Sequence, residues 1–203
     1  MTQIRLMQPG DMIGFIGNPR NIGHLLIMLF QLFNGGDNDG LWRIVHCGIV
    51  VRWQGKLYLA EFTLTKMFPW PKGGLVLTEL LPRLESYKHG IVHLWLDTDA
   101  REKFDSEKLT EFVEKVKDYY YDIPGLVFAI LRFFVGWLRA GCFFCSSFIR
   151  AALSYAGAWN GERGLLAKHG PKCARVDARI EPQRFSPWDI SRAPVIADWR
   201  VVE

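Results

Sequence analysis

Cysteine is scarce in this sequence, and the positions of the few cysteines exclude one class of protein. The 203 residues include four, Cys47, Cys142, Cys145 and Cys173. Small secreted domains that depend on disulfides carry a much denser set. We therefore expect a domain stabilised by its hydrophobic core, for which 49% hydrophobic residues provide ample material.

The sequence also lacks a block of like charges and a recognisable secretion signal. Lys and Arg number 25 against 21 Asp and Glu, a net charge of +4 that is spread along the chain. Such a small surplus gives little support for nucleic acid as a partner. The first residues show no charged region followed by an uninterrupted apolar stretch, so no signal peptide is expected. We expect a cytoplasmic protein, or a phage component carried on the virion or released by lysis.

An uninterrupted membrane-spanning run is missing as well. Residues 123–144 are long and apolar, but Arg132, Arg139 and several Pro and Gly residues interrupt them. Because buried Arg is costly in a bilayer, we interpret this segment as a core helix or as an insert that touches a membrane surface or a protein. No internal repeat is present. The prediction is one domain over residues 1–203 with an apolar helical insert near 123–144.

The apolar residues predict a mixed α and β domain. Strands are expected at residues 12–16, 44–53, 56–63 and 90–97, where β-branched or aromatic residues are enriched. Helices are expected at residues 22–33, where the apolar stretch predicts a buried helix, and at residues 106–120. In the second helix, apolar residues recur at helical spacing between charged ones. The turn Gln54-Gly55 joins the second and third strands into a predicted hairpin.

Cys145 is the candidate nucleophile because it begins a third predicted helix. One face of this helix is apolar and should be buried; it carries Cys145, Ile149, Ala152, Leu153 and Ala156. On the first turn, unsatisfied backbone N–H groups and the helix dipole favour a thiolate over a thiol. The alternative is that Cys145 is simply a small apolar residue that packs in the core.

His46 is the candidate general base. In a regular strand, Val45, Cys47, Ile49 and Val51 point to one face, whereas Ile44, His46, Gly48 and Val50 point to the other. The first set is wholly apolar, which makes Cys47 a predicted core residue. Gly48 leaves open space beside the imidazole, where a reactive group from another element could approach.

Glu61 is the candidate acid that orients His46. It shares a predicted strand face with Leu57, Leu59 and Thr63, so it is an acidic residue among mostly apolar ones. A carboxylate there could hold the imidazole and stabilise its charged form. The alternative is a glutamate on an edge strand that faces water.

The other four histidines have weaker cases. His93 alternates with Ile91 and Trp95 and is adequately explained as a satisfied core histidine. His24, His89 and His169 have no recognisable acid partner in the sequence.

Other interpretations of the cysteines remain open. Cys142 and Cys145 form a Cys-x-x-Cys pair, so a thiol-disulfide oxidoreductase is one alternative. It fits poorly, because thioredoxin-like pairs follow an early strand of a βαβ unit. A zinc site would need two more ligands, and no second close pair is present. A binding or structural protein that keeps the fold with an idle site is a further alternative.

Six short motifs occur in one order along the chain. They are Pro9-Gly10-Asp11, His46-Cys47-Gly48-Ile49-Val50, Tyr58-Leu59-Ala60-Glu61, Tyr121-Asp122, Cys145-Ser146 and Pro187-Trp188-Asp189. In this order they resemble the circularly permuted papain-like (NlpC-type) cysteine hydrolase superfamily, and its YaeF/YiiX group most of all. The chain departs from the family at Ser147, where members often have an acid.

The resemblance implies an α+β permuted papain-like fold, in which a small antiparallel sheet or half-barrel packs on helices. It implies Cys145 as the nucleophile, His46 as the base and Glu61 as the residue that orients the histidine. Neither a metal nor an organic cofactor is expected. The implied substrates are peptides or other amides, peptidoglycan among them, and lipid or thioester acyl groups.

Overall fold

The chain folds into an α+β arrangement built on one open antiparallel sheet. The computed structural model describes residues 6–33, 40–66, 72–119, 145–159, 166–168, 174–176 and 196–202. The eight strands within these ranges are β1 Met12–Ile16, β2 Ile44–Trp53, β3 Lys56–Lys66, β4 Lys72–Glu79, β5 Ile91–Leu96, β6 Leu166–Lys168, β7 Ala174–Val176 and β8 Ile196–Val202. Six of them form the main sheet in the order β4-β3-β2-β1-β5-β8, and β6 pairs with β7 alone. The predicted α+β fold class is confirmed.

Within these ranges, five α-helices accompany the sheet. They are α1 Ile22–Phe33, α2 Leu80–Glu85, α3 Thr98–Lys103, α4 Ser106–Val116 and α5 Cys145–Tyr155. Asp105 begins α4, because its carboxylate accepts hydrogen bonds from the backbone N–H groups of Glu107 and Lys108. Of the helices in the described ranges, none is long and apolar enough to cross a membrane. The predicted insert at 123–144 lies outside these ranges.

Helices α4 and α5 cover one face of the sheet and build the larger core with it. Helix α4 contributes Leu109, Phe112, Val113 and Val116, all at most 1% exposed. The predicted buried face of α5 is confirmed, because Cys145, Ile149, Ala152, Leu153 and Ala156 are all buried. A smaller core on the other face joins Phe15, Val50 and Leu59 to Leu80 and Leu84 of α2.

Strand β2 carries a bulge that the sequence prediction missed. Phe15 of β1 pairs with His46, but the next residue, Ile16, pairs with Ile44, so Val45 is an extra residue. The predicted assignment of faces was therefore wrong at this end of the strand: Ile44 packs in the larger core with Cys47 and Val45 does not. One added residue reverses the alternation of side chains on one side of the bulge.

Most predicted elements are present, with small changes of length. The strands at 12–16 and 44–53 and the helix at 22–33 have the predicted bounds, β3 runs on to Lys66, and β5 is one residue shorter at each end. The predicted burial of the 22–33 helix is wrong, because five of its large apolar side chains are exposed. Helix α4 ends at Val116, earlier than the predicted 106–120, and Tyr120 itself lies outside the described ranges. The sequence prediction missed α2, α3, β4, β6, β7 and β8.

Candidate active site

Glu61 contacts His46 across the hairpin of β2 and β3. Oε1 of Glu61 lies 3.0 Å from Nε2 of His46. Gly48 makes room for this contact, since a Cβ atom there would lie 2.8 Å from Cγ of Glu61. The open space predicted beside the imidazole is thus filled in part by the glutamate. Glu61 is only 3% exposed, and β3 lies between β2 and β4, so the alternative of a water-facing edge residue is wrong.

Arg83 of α2 is a third member of this group, and sequence reasoning missed it. Its Nε donates to Oε2 of Glu61 at 2.7 Å, and its Nη2 donates to Oε1 at 2.9 Å. The guanidinium lies 4.3 Å from the ring centroid of Phe15. This two-point geometry is the strongest form of arginine–carboxylate pairing, so Arg83 fixes the carboxylate that contacts His46.

The charge on Glu61 depends on these two partners. Burial alone raises the pKa of the carboxyl, but the hydrogen bonds and positive charges of His46 and Arg83 outweigh it and lower that pKa below its ordinary value. Glu61 is therefore a carboxylate at neutral pH, and it can hold an imidazolium.

Cys145 lies at the start of α5, where it contacts two consecutive residues of β2. Its sulfur is hydrogen-bonded with the Cys47 thiol, with the His46 imidazole and with the backbone N–H of Cys47. The Cys47 thiol, the His46 imidazole and the Cys47 amide lower the pKa of Cys145 well below its ordinary value, despite a burial that raises it. Burial and the charge of Cys145 raise the pKa of Cys47, which therefore stays a thiol and donates to Cys145.

His46 completes a thiolate–imidazolium pair. Burial lowers its pKa, but the hydrogen bonds and charges of Cys145 and Glu61 outweigh burial and raise the pKa to about 9. At neutral pH the proton therefore lies on His46 and the negative charge on Cys145. The structure brings together Cys145, His46 and Glu61, the three residues singled out from the sequence.

The structure describes three of the remaining four histidines, His24, His89 and His93. Burial lowers the pKa of His24, and the nearby charges of His89 and His46 lower it further. His93 is buried, as predicted, and its Nε2 lies 2.8 Å from Oδ2 of Asp11. His169 lies outside the described ranges.

The structure describes some of the sequence motifs, and others lie outside the described ranges. Gly10 has a φ of +91°, a conformation that suits glycine, and Asp11 is buried against His93 and Arg101. The Pro9-Gly10-Asp11 motif is therefore a structural turn. Cys142, Cys173 and the motifs at 121–122 and 187–189 lie outside the described ranges. Within those ranges, no three His, Cys, Asp or Glu side chains are grouped as metal ligands would be.

Comparison with known proteins gives a match among solved structures only. No family model matches the sequence, and no curated protein matches it. Among solved structures, the chain is similar to the metalloprotein YiiX of Escherichia coli O157:H7, a protein of the DUF1105 family. The match has 17% identity and a TM-score of 0.44, and it covers 97% of this chain and 96% of that one.

Proposed function

We propose that this protein is a cysteine hydrolase that cleaves an amide or peptide bond through an acyl-enzyme. The observation that supports this most directly is the buried group in which a Cys145 thiolate faces a His46 imidazolium held by Glu61. A nucleophile, a base within hydrogen-bond reach and a third group that orients the base are the parts that covalent catalysis of this kind needs.

In the first half of the reaction, the Cys145 thiolate attacks the carbonyl carbon and a tetrahedral intermediate forms. Backbone N–H groups at the start of α5, including that of Cys145, stabilise the oxyanion, since the first amides of a helix have no acceptor within the helix. His46 then gives its proton to the leaving nitrogen. The C–N bond breaks, the amine leaves, and a thioester joins the acyl group to Cys145.

In the second half, water replaces the amine. Neutral His46 takes a proton from the water, whose oxygen attacks the thioester carbonyl. The C–S bond breaks, the carboxylic acid leaves, and the thiolate–imidazolium pair is restored. Glu61 keeps its charge throughout, and it stabilises the imidazolium each time that His46 is protonated.

Cell-wall peptide is the first substrate to test, because it follows from the resemblance to NlpC-type hydrolases. Wild-type protein, Cys145→Ala and Cys142→Ala are incubated with purified peptidoglycan, and the products are identified by mass spectrometry. We expect new free amino and carboxyl ends with wild type and Cys142→Ala, and none with Cys145→Ala. Equal product from wild type and Cys145→Ala would exclude Cys145 as the nucleophile. Loss of product in Cys142→Ala, with Cys145 intact, would favour the dithiol reading.

An acyl-lipid substrate is the second candidate, and one surface feature favours it. Helix α1 contains no charged residue and exposes five large apolar side chains, Ile22, Leu25, Leu26, Leu29 and Leu32. Contiguous apolar surface of this kind is typical of sites that contact membranes or proteins. His24, on the same helix, is close enough to His46 for their charges to interact, so α1 lies beside the site.

The same three proteins distinguish the two substrates when phospholipid vesicles replace peptidoglycan. Release of fatty acid by wild type but not by Cys145→Ala, with peptidoglycan unchanged, would assign the acyl-lipid reaction. Replacing the exposed Leu26 with Gln should then weaken vesicle cleavage and leave iodoacetamide alkylation of Cys145 unchanged.

A further inference from the structure

A cavity lies on the same sheet but away from Cys145. Its volume is about 410 Å³, and the polar residues that line it include Gln8, Asp11, His93, Arg101, Glu102 and Arg200. Sites for small molecules commonly fall between about 300 and 1,000 Å³. The cavity reaches Asp11, the residue before β1, whereas His46 pairs with Phe15 of β1. These two positions are about 13 Å apart along an extended strand.

The register of β5 and β8 places three of the lining side chains side by side. His93 and Arg200 are directly opposite each other, so their side chains leave the sheet on the same face. Trp95 follows two residues after His93 and therefore shares that face. The Arg200 guanidinium lies 5.5 Å from the ring centroid of Trp95.

In the part of the chain that the structure describes, two buried polar atoms in this cavity have no hydrogen-bond partner. They are Nδ1 of His93 and Nε of Arg200. His93 is 97% buried, and its other nitrogen is held by the Asp11 carboxylate. In the neutral imidazole the proton then lies on Nε2, so Nδ1 is a bare acceptor. A buried polar atom without a partner is costly and uncommon in native proteins.

Among the described residues around the cavity, Arg200 is a cation without an ion pair. Asp11 already pairs with both His93 and Arg101, so its negative charge is compensated. Glu102 is exposed to solvent, and no carboxylate in the described part of the chain forms an ion pair with Arg200. A guanidinium with a buried, unpartnered Nε is a suitable site for an oxyanion.

We propose that this cavity binds a small organic carboxylate. Its carboxylate pairs with Arg200, its apolar part lies against Trp95, and a hydroxyl or N–H group next to the carboxylate donates to Nδ1 of His93. Leu96, which also lines the cavity, adds apolar surface. This site is independent of the chemistry at Cys145.

The proposal can be tested with three related probes on the 203-residue chain. Mandelate carries a carboxylate, a ring and a hydroxyl group; phenylacetate lacks the hydroxyl, and mandelamide lacks the charge. By calorimetry at probe concentrations up to about 10 mM, we expect mandelate to bind most tightly. Mandelamide should bind about tenfold or more weakly, since it loses the charge-assisted contact.

Variants of Arg200 identify the site. Arg200→Gln should weaken mandelate binding about tenfold or more, Arg200→Lys less, and Arg52→Gln, an exposed arginine on β2, not at all. The proposal is overturned if neither carboxylate binds wild type, if mandelamide binds as well as mandelate, or if Arg200→Gln binds as wild type does. If phenylacetate and mandelate bind with equal affinity, the ligand does not donate a hydrogen bond to His93, and this part of the proposal is refuted.

Discussion

Replacing Glu61 with Gln isolates what the charge of this residue does for His46. The amide has nearly the same shape as the carboxylate, but it cannot neutralise an imidazolium. A hydrogen bond to a charged group contributes about 1.5–3 kcal/mol, and one pKa unit corresponds to about 1.4 kcal/mol. We therefore expect the pKa of His46, now about 9, to fall by about one to two units in Glu61→Gln.

The same substitution should also cost stability. Glu61 is 3% exposed, and its replacement removes the negative charge that pairs with His46 and Arg83. The side chains of these two cations are only 20% and 24% exposed. Breaking a buried ion pair costs about 3–5 kcal/mol. Since both cations can still reach water, we expect about 3 kcal/mol, measured as the loss of free energy of unfolding in urea at pH 7.

The stability difference should depend on pH in a defined direction. The folded-state pKa of Glu61 is lowered below the ordinary 4.5. Its contribution is therefore complete above that ordinary value and is lost as the pH falls through the folded-state pKa. Wild type and Glu61→Gln should differ most near neutral pH and converge in acid.

The titration of His46 is followed by NMR of protein with isotope-labelled histidine. Glu79→Gln is the matched control, because Glu79 pairs with Lys56 at 2.8 Å on the exposed surface of the neighbouring strand, where ion pairs contribute little. It should leave the His46 titration unchanged. An unchanged titration in Glu61→Gln, with the protein folded, would refute the conclusion that Glu61 holds the imidazolium.

Three further predictions concern the nucleophile and its neighbours. Iodoacetamide should alkylate wild-type Cys145 with a pH midpoint well below the ordinary thiol value of about 8.5, and a midpoint near that value would refute the thiolate. Cys47→Ala removes a thiol that donates to Cys145, so that midpoint should rise by about one unit in the same assay. Gly48→Ala places a Cβ atom 2.8 Å from Cγ of Glu61 and should cost about 1–3 kcal/mol in urea unfolding. Gly23→Ala, in helix α1, is the control. The nearest atom to its Cβ would be Oδ1 of Asn21 at 3.3 Å, and the substitution should not lower the free energy of unfolding.

The parts of the site that could be predicted depend on local patterns. The run from Cys145 to Ala156 repeats at helical spacing, so the buried face of α5 follows from the sequence alone. The turn at Gln54-Gly55, where both residues have positive φ, joins β2 and β3, and it brings the strands of His46 and Glu61 together. These inferences need only the helical spacing of apolar residues in α5 and the turn between β2 and β3.

The parts that could not be predicted depend on residues distant in the sequence. Strand β4 begins Lys72-Gly73-Gly74, a poor strand signal, and it forms because β3 offers an edge with which to pair. That pairing makes β3 an interior strand and buries Glu61. Arg83 belongs to a six-residue helix that contains Pro82, and only the folded chain shows that its guanidinium meets Glu61.

The bulge in β2 explains why one cysteine can contact two consecutive residues. In a regular strand, the side chains of His46 and Cys47 point to opposite faces, yet the Cys145 sulfur is hydrogen-bonded with both. The extra residue, Val45, immediately precedes His46, and bulges bend a strand, increase its twist and redirect a side chain. His46 can therefore lie over Phe15 and still reach Cys145. Alternation of apolar residues cannot reveal such a bulge, because the extra residue exists only relative to the register of β1.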